Sequence, residues 1–128
     1  MMKKENPVNL RIRSLILLVS AISLIATTAA SVLADAESAK TRYTTFCVKC
    51  HGEAGKGDGA AAATLKTKPR DFTDCKRMST ISDDTMFKVI KEGGASAGLS
   101  PDMPAWKDGF EDPEIKDLVA YVRSFCKK

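Results

Sequence analysis

The chain has 128 residues, 28% of them charged, 44% hydrophobic and 6% aromatic, with four Cys, one His and a formal net charge of +4. That length holds one domain, and an ordinary charged fraction excludes wholesale disorder and a multi-span membrane protein. A single histidine excludes any site built on two imidazoles of one chain, most catalytic zinc sites among them.

Lys3, Lys4, Arg11 and Arg13 open the chain, and from Ser14 to Ala34 there are 21 residues without an ionisable group. A basic start, an apolar middle (Leu15 to Ala26) and small residues leading to Val32-Leu33-Ala34 before Asp35 have the order of a secretory signal peptide. The alternative is an uncleaved anchor, since 21 uncharged residues are enough to span a bilayer. Both readings deliver a domain of residues 35–128 to the periplasm, because positive flanks stay inside. Association with the membrane is expected only if the segment is uncleaved. The segment carries +3 of the +4; the remaining 94 residues hold 16 basic and 15 acidic side chains, and a nucleic-acid partner loses its basis.

In the exported part no stretch alternates with period two, and the elements read as short helices and long loops. Ser38 to Phe46 forms a short helix with Ala39, Tyr43 and Phe46 at spacings of four and three. Residues 52–64, with four glycines and then an alanine run, form a loop turning into a brief helix, and Lys68-Pro69-Arg70-Asp71 is extended. Ser82 caps a helix through Glu92, with Asp83 and Asp84 in its first turn and Gly93-Gly94 at its end. Ala95 to Phe110 is a loop. Asp112-Pro113-Glu114 opens the last helix with an N-cap residue and a proline at the first helical position. Ile115, Leu118, Val119, Val122 and Cys126 then make one apolar stripe. The domain is all-α, and loops of this length around short helices wrap something.

Cys47-Val48-Lys49-Cys50-His51 is the attachment motif of a c-type haem. Two thiols three residues apart on one helical turn can both add across the haem vinyl groups, and the next residue brings its imidazole to the iron. A redox dithiol would need a βαβ context, and half of a zinc site would need a second ligand pair; neither is found. The second axial ligand comes from Met78, Met86 or Met103, or the iron is open. Met86 lies on an amphipathic helix and reads as core filling. Met103 lies in Ser100-Pro101-Asp102-Met103-Pro104-Ala105-Trp106, where two prolines stiffen the loop, and a weak thioether ligand benefits from low conformational freedom.

With these residues in view, the exported chain resembles a class I cytochrome c over nearly all of residues 36–126. Ala39 and Tyr43 stand eight and four positions before Cys47, where that family has a small residue and an aromatic; these cross an aromatic of the last helix, matched by Tyr121. Gly57-Asp58-Gly59, Pro69-Arg70-Asp71-Phe72 and Met103-Pro104-Ala105-Trp106 are similar to the pattern of bacterial periplasmic members. The resemblance implies a small cytochrome c fold of three to four short helices around one covalently attached haem c, with His51 and Met103 as axial ligands of its iron. The family often has a proline after the glycine loop whose carbonyl accepts the proximal imidazole N–H; here Ala60 follows Gly59.

Arg70 and Trp106 are candidates for contact with the haem or its propionates. Leu65, Phe72, Phe87, Ile90, Leu99 and Val122 are candidates for its apolar wall. Cys75 and Cys126 are spare thiols in an oxidising compartment and are expected to form a disulfide. Residues 35–77 hold nine basic and six acidic side chains, and Lys49, Lys56, Lys66 and Lys68 around the motif suit an acidic redox partner. The expected function is that of a monomeric one-electron carrier between redox proteins, not an enzyme. The other readings are an electron-entry subunit or tethered module of a larger oxidoreductase, and a haem enzyme with an open iron. That enzyme would need a distal base when the only histidine is already used.

Overall fold

The computed structural model describes residues 35–126; the segment read as a signal peptide or anchor, residues 1–34, lies outside them. Among the described residues there is no β-strand and no helix long and apolar enough to cross a membrane. The all-α expectation holds.

Helix α1 runs over residues 35–51 and is longer than the sequence pattern predicts. Its middle is a π turn, Tyr43–Cys47, in which the Val48 N–H reaches back five residues to the Tyr43 carbonyl. A wide turn displaces a carbonyl from the α-helical ladder, and the Thr44 and Thr45 hydroxyls both donate to the Thr41 carbonyl, at 3.0 and 2.8 Å. The last turn, Val48–His51, stops at Gly52, whose φ of 78° no β-carbon-bearing residue adopts cheaply.

The glycine loop then folds back on that turn. Gly57 N–H bonds the His51 carbonyl at 2.8 Å, Gly59 N–H the Cys50 carbonyl at 3.2 Å and Ala61 N–H the Lys49 carbonyl at 2.9 Å. These bonds satisfy the carbonyls that every helix end leaves unpaired. The expected brief helix is a single 3₁₀ turn, Ala62–Thr64.

A short helix absent from the sequence reading, α2 (Cys75–Met78), is capped by the Asp74 side chain, which accepts from the Arg77 N–H. Helix α3 (Asp83–Glu92) begins as expected, with Ser82 accepting from the Thr85 N–H, and ends at Gly93 with φ 82°. A 3₁₀ turn follows at Gly94–Ala97. Helix α4 (Asp112–Ser124) is capped by Glu111, one residue earlier than predicted. The Glu114 side chain accepts from the Glu111 N–H at 2.8 Å, a reciprocal device that outweighs Asp112 as the cap.

Two small cores result. Met78, Met86, Val119 and Val122 bury one face of α4 against α2 and α3. Tyr43, Leu118 and Phe125 bury another against α1, with Tyr43 and Tyr121 rings 5.2 Å apart at the expected helix crossing. Phe72 and Ile90 touch both clusters. Cys75 and Cys126 are joined as a disulfide, with Cα atoms 5.3 Å apart, tying the end of α4 to the start of α2.

Candidate functional site

An apolar cleft opens where α1, α3, α4 and the 98–110 loop converge. Tyr43, Cys47 and His51 face it from α1, Leu118 and Val122 from α4, and Phe72, Ile90, Met103, Trp106 and Phe110 complete its wall. No Asp, Glu, Lys or Arg lines it.

Local bonds place each of these groups. The Tyr43 hydroxyl donates to the Gly52 carbonyl at 2.8 Å, fixing the chain directly after His51. Burial, with smaller contributions from Cys47, Tyr121 and Asp58, pushes that phenol far above its ordinary pKa, so it stays a donor. Burial and the neighbouring Cys50 push the Cys47 thiol up to about 11. Burial lowers the pKa of His51 and so favours its uncharged form, while the Arg70 backbone acts the other way. Its Nδ1 is buried without a partner of full hydrogen-bond geometry, and its ring stacks on Phe72, centroids 4.6 Å apart and planes at 14°.

Met103 reaches the cleft because its loop is pinned to the end of α3. Gly94 N–H bonds the Met103 carbonyl at 3.0 Å, and the Trp106 N–H bonds the Ile90 and Lys91 carbonyls at 3.1 and 3.2 Å. Gly94 permits this approach, since a β-carbon there would sit 2.2 Å from the Ser100 carbonyl oxygen. Met78 and Met86 are buried in the α2–α3–α4 core, leaving Met103 as the methionine that lines the cleft.

Other candidates divide. Trp106 lines the cleft and stacks on Phe110 at 5.1 Å, with Phe46 against both. Phe72, Ile90 and Val122 line the cleft; Phe87 packs on the core instead, Leu99 is 48% exposed, and Leu65 is not among the lining residues. Cys50 is half-buried on the same turn as His51, and Arg70 acts on His51 through its backbone while its side chain is outside the wall. Lys49, Lys56, Lys66 and Lys68 are exposed.

The donor set fits one group. An imidazole and a thioether share an uncharged cleft with a thiol on its edge, and among the described residues no three His, Cys, Asp or Glu side chains gather into a site for a bare metal ion. Soft and borderline donors on apolar walls suit an iron carried inside a large apolar ring.

A family model described as cytochrome c oxidase, cbb3-type, subunit III matches residues 34–122. The cbb3-type cytochrome c oxidase subunit FixP of Bradyrhizobium diazoefficiens is 28% identical over 90 residues, covering 70% of this chain and 27% of that protein. The chain thus spans about a quarter of the length of the curated relative it matches. Among solved structures, the c-type cytochrome KustC0563 superposes with a TM-score of 0.56 at 28% identity, covering 67% of this chain and 94% of that one.

Proposed function

The chain belongs to the cytochrome c oxidase, cbb3-type, subunit III family and is a c-type cytochrome with covalently attached haem c, and from that premise we propose that it is a periplasmic monohaem carrier with His51 and Met103 as axial ligands. The observation that carries this reading is the meeting of His51 and Met103 in one cleft with Cys47 and no charged wall residue.

Cys47 and Cys50 would hold the haem through thioethers, and the motif spacing puts both on the turn that ends in His51. When bound, haem supplies a reversible one-electron change at its iron. The protein's part is to hold ligands, exclude water and present a surface. The Tyr43–Gly52 bond keeps the turn bearing His51 from unwinding. Burial favours the uncharged imidazole that can ligate, and the Arg70 backbone is our candidate for the acceptor that orients it, in place of the proline carbonyl the loop lacks. The apolar wall lowers the local dielectric, which together with a thioether ligand raises the potential. With His51 and Met103 both holding the iron, the reading is of a carrier, and an enzyme would need a base other than the one histidine.

A second reading follows from the relative: FixP is an oxidase subunit, so this domain serves as the electron-entry module of a larger oxidoreductase. N-terminal sequencing of the native protein separates the two. A start at Asp35 supports a free carrier; retention of residues 1–34 supports a tethered module.

Ligation is tested by spectroscopy of the haem-loaded protein. The wild type is expected to show the weak charge-transfer band of thioether-ligated ferric iron and no carbon monoxide binding when reduced. Met103→Ala loses the band and binds carbon monoxide. A variant that keeps the wild-type spectrum removes Met103 from the iron.

A further inference from the structure

Phe72 stands between the imidazole and the disulfide. Its ring stacks on His51 at 4.6 Å and 14°, and lies 6.2 Å from Phe125 at 26°. Its backbone is held on both sides. The N–H donates to the Gly55 carbonyl at 2.7 Å, in the loop that leaves His51, and the carbonyl oxygen lies 3.2 Å from Cys126 Sγ. Cys126 follows α4 and Cys75 opens α2, so the bridge clamps the end of the last helix onto the segment that carries Phe72.

We propose that Phe72 is a positioning residue for His51 and that the Cys75–Cys126 bridge holds it there, so that a dithiol which opens the bridge shifts the redox equilibrium of the haem. The inference rests on the reading of His51 as an axial ligand. A flat ring against one face of the imidazole fixes its rotation and keeps water from it, and both ligand orientation and solvent access set an iron potential. With the clamp open, the covalent tie on that side is gone and only a thiol, a weak donor, stands near the Phe72 carbonyl.

Cys75 is exposed and Cys126 half-buried, so the incoming thiolate attacks Cys75 Sγ and Cys126 leaves as a thiolate. The reagent's second thiol attacks its own sulfur in the mixed disulfide and releases Cys75. Two electrons pass to the protein, two protons complete the two cysteine thiols, and the dithiol becomes a cyclic disulfide.

The test uses haem-loaded protein in three forms: untreated, treated with dithiothreitol and desalted without air, and Cys75→Ser/Cys126→Ser. Phe72→Leu is measured with the bridge closed and open. Readouts are the midpoint potential and the ring resonance of nitrogen-labelled histidine in the ferric state, which is unambiguous because the chain has one His. Opening or removing the bridge is expected to move the resonance and to shift the oxidised-to-reduced ratio at fixed potential about 2- to 10-fold toward oxidised, the size of one aromatic contact. In Phe72→Leu the closed and open forms coincide. If the serine variant fails to fold, the dithiol-treated wild type makes the same comparison. A hyperfine-shifted resonance and one shared potential across all forms overturn the positioning role and leave His51 as ligand. A resonance without a hyperfine shift overturns the ligand reading itself, and two free thiols in untreated protein overturn the bridge.

Discussion

Gly57 occupies a position where no side chain fits. Its φ is 70°, and a β-carbon would lie 2.2 Å from the Pro69 carbonyl oxygen, while its N–H bonds the carbonyl of His51. Gly98 has a similar φ of 68° with nothing within 4 Å. Alanine at Gly98 is therefore expected to cost only backbone strain, about 1 kcal/mol. Alanine at Gly57 adds a backbone clash and is expected to cost about 2–4 kcal/mol, since the loop must shift away from the haem turn. Guanidinium unfolding of the two variants checks the order; equal losses would mean that the loop yields freely. Arg123 is the opposite case, a side chain that nothing in the sequence singles out. It donates to the Asp83 carboxylate at 2.8 Å, to the Met78 carbonyl at 2.6 Å and to the Ile81 carbonyl. It thus ties α4 to the turn between α2 and α3. Arg123→Met leaves those two carbonyls without this donor and is expected to lower stability by about 1–3 kcal/mol. Arg123→Lys should recover only part of that, because an ammonium cannot span the fork.

Among the elements, α4 depends on a cap that titrates. The Glu111 N–H bonded to Glu114, and then the Arg42 guanidinium, hold the Glu114 carboxyl below its ordinary pKa of 4.5. A folded pKa lower than the unfolded one favours the ionised folded state, so this contribution is present above about pH 4.5 and is lost as pH falls through the lower folded value. Glu114→Gln is expected to flatten that part of the acid limb in a stability–pH profile and to leave the neutral region nearly parallel to wild type; an unchanged limb would remove Glu114 from the acid response. How far such elements can be read in sequence depends on range. The Ser82 cap, the Gly93 stop, the haem motif and the α4 stripe are all written within a few residues, and they stand where the pattern puts them. The Glu111 cap is not legible locally, because Asp112-Pro113 offers an equally good start and the choice is made by Glu114, with Arg42 of α1 beside it. The π turn left a trace in Thr44-Thr45, but only the observed bonds to Thr41 give it meaning. Hydrophobicity alone makes Leu99 and Leu65 candidates for the wall and does not say which way a loop faces; Leu99 is exposed, and neither lines the cleft. The stack of Phe72 on His51 joins residues 21 positions apart and carries no local signal.

On the scale of the molecule, the cleft and the core are largely the same residues. Tyr43 and Leu118 make the α1–α4 core and Val122 belongs to the α2–α3–α4 core, yet all three also face the cleft with Phe72 and Ile90 between. Each core is only three or four buried side chains deep, and fully burying one such side chain contributes about 1.5–3 kcal/mol. The haem is therefore expected to act as the missing face of the core, binding the folded state alone and stabilising it by linkage. Cys47→Ser/Cys50→Ser removes the covalent attachment and leaves every fully buried side chain of the two cores in place, changing one atom of Cys47 at the edge of the Tyr43–Leu118–Phe125 cluster. This variant, purified free of haem, should keep part of its helical far-ultraviolet signal. It should lose near-ultraviolet dichroism and unfold over a broad range of denaturant, the behaviour of a compact chain without fixed packing. The disulfide does not replace the haem in this respect, because it constrains the unfolded chain by about 4 kcal/mol without supplying apolar surface. A haem-free variant that unfolds cooperatively at the wild-type midpoint would show that the two small cores suffice, and that the ring merely occupies a cleft the helices build unaided.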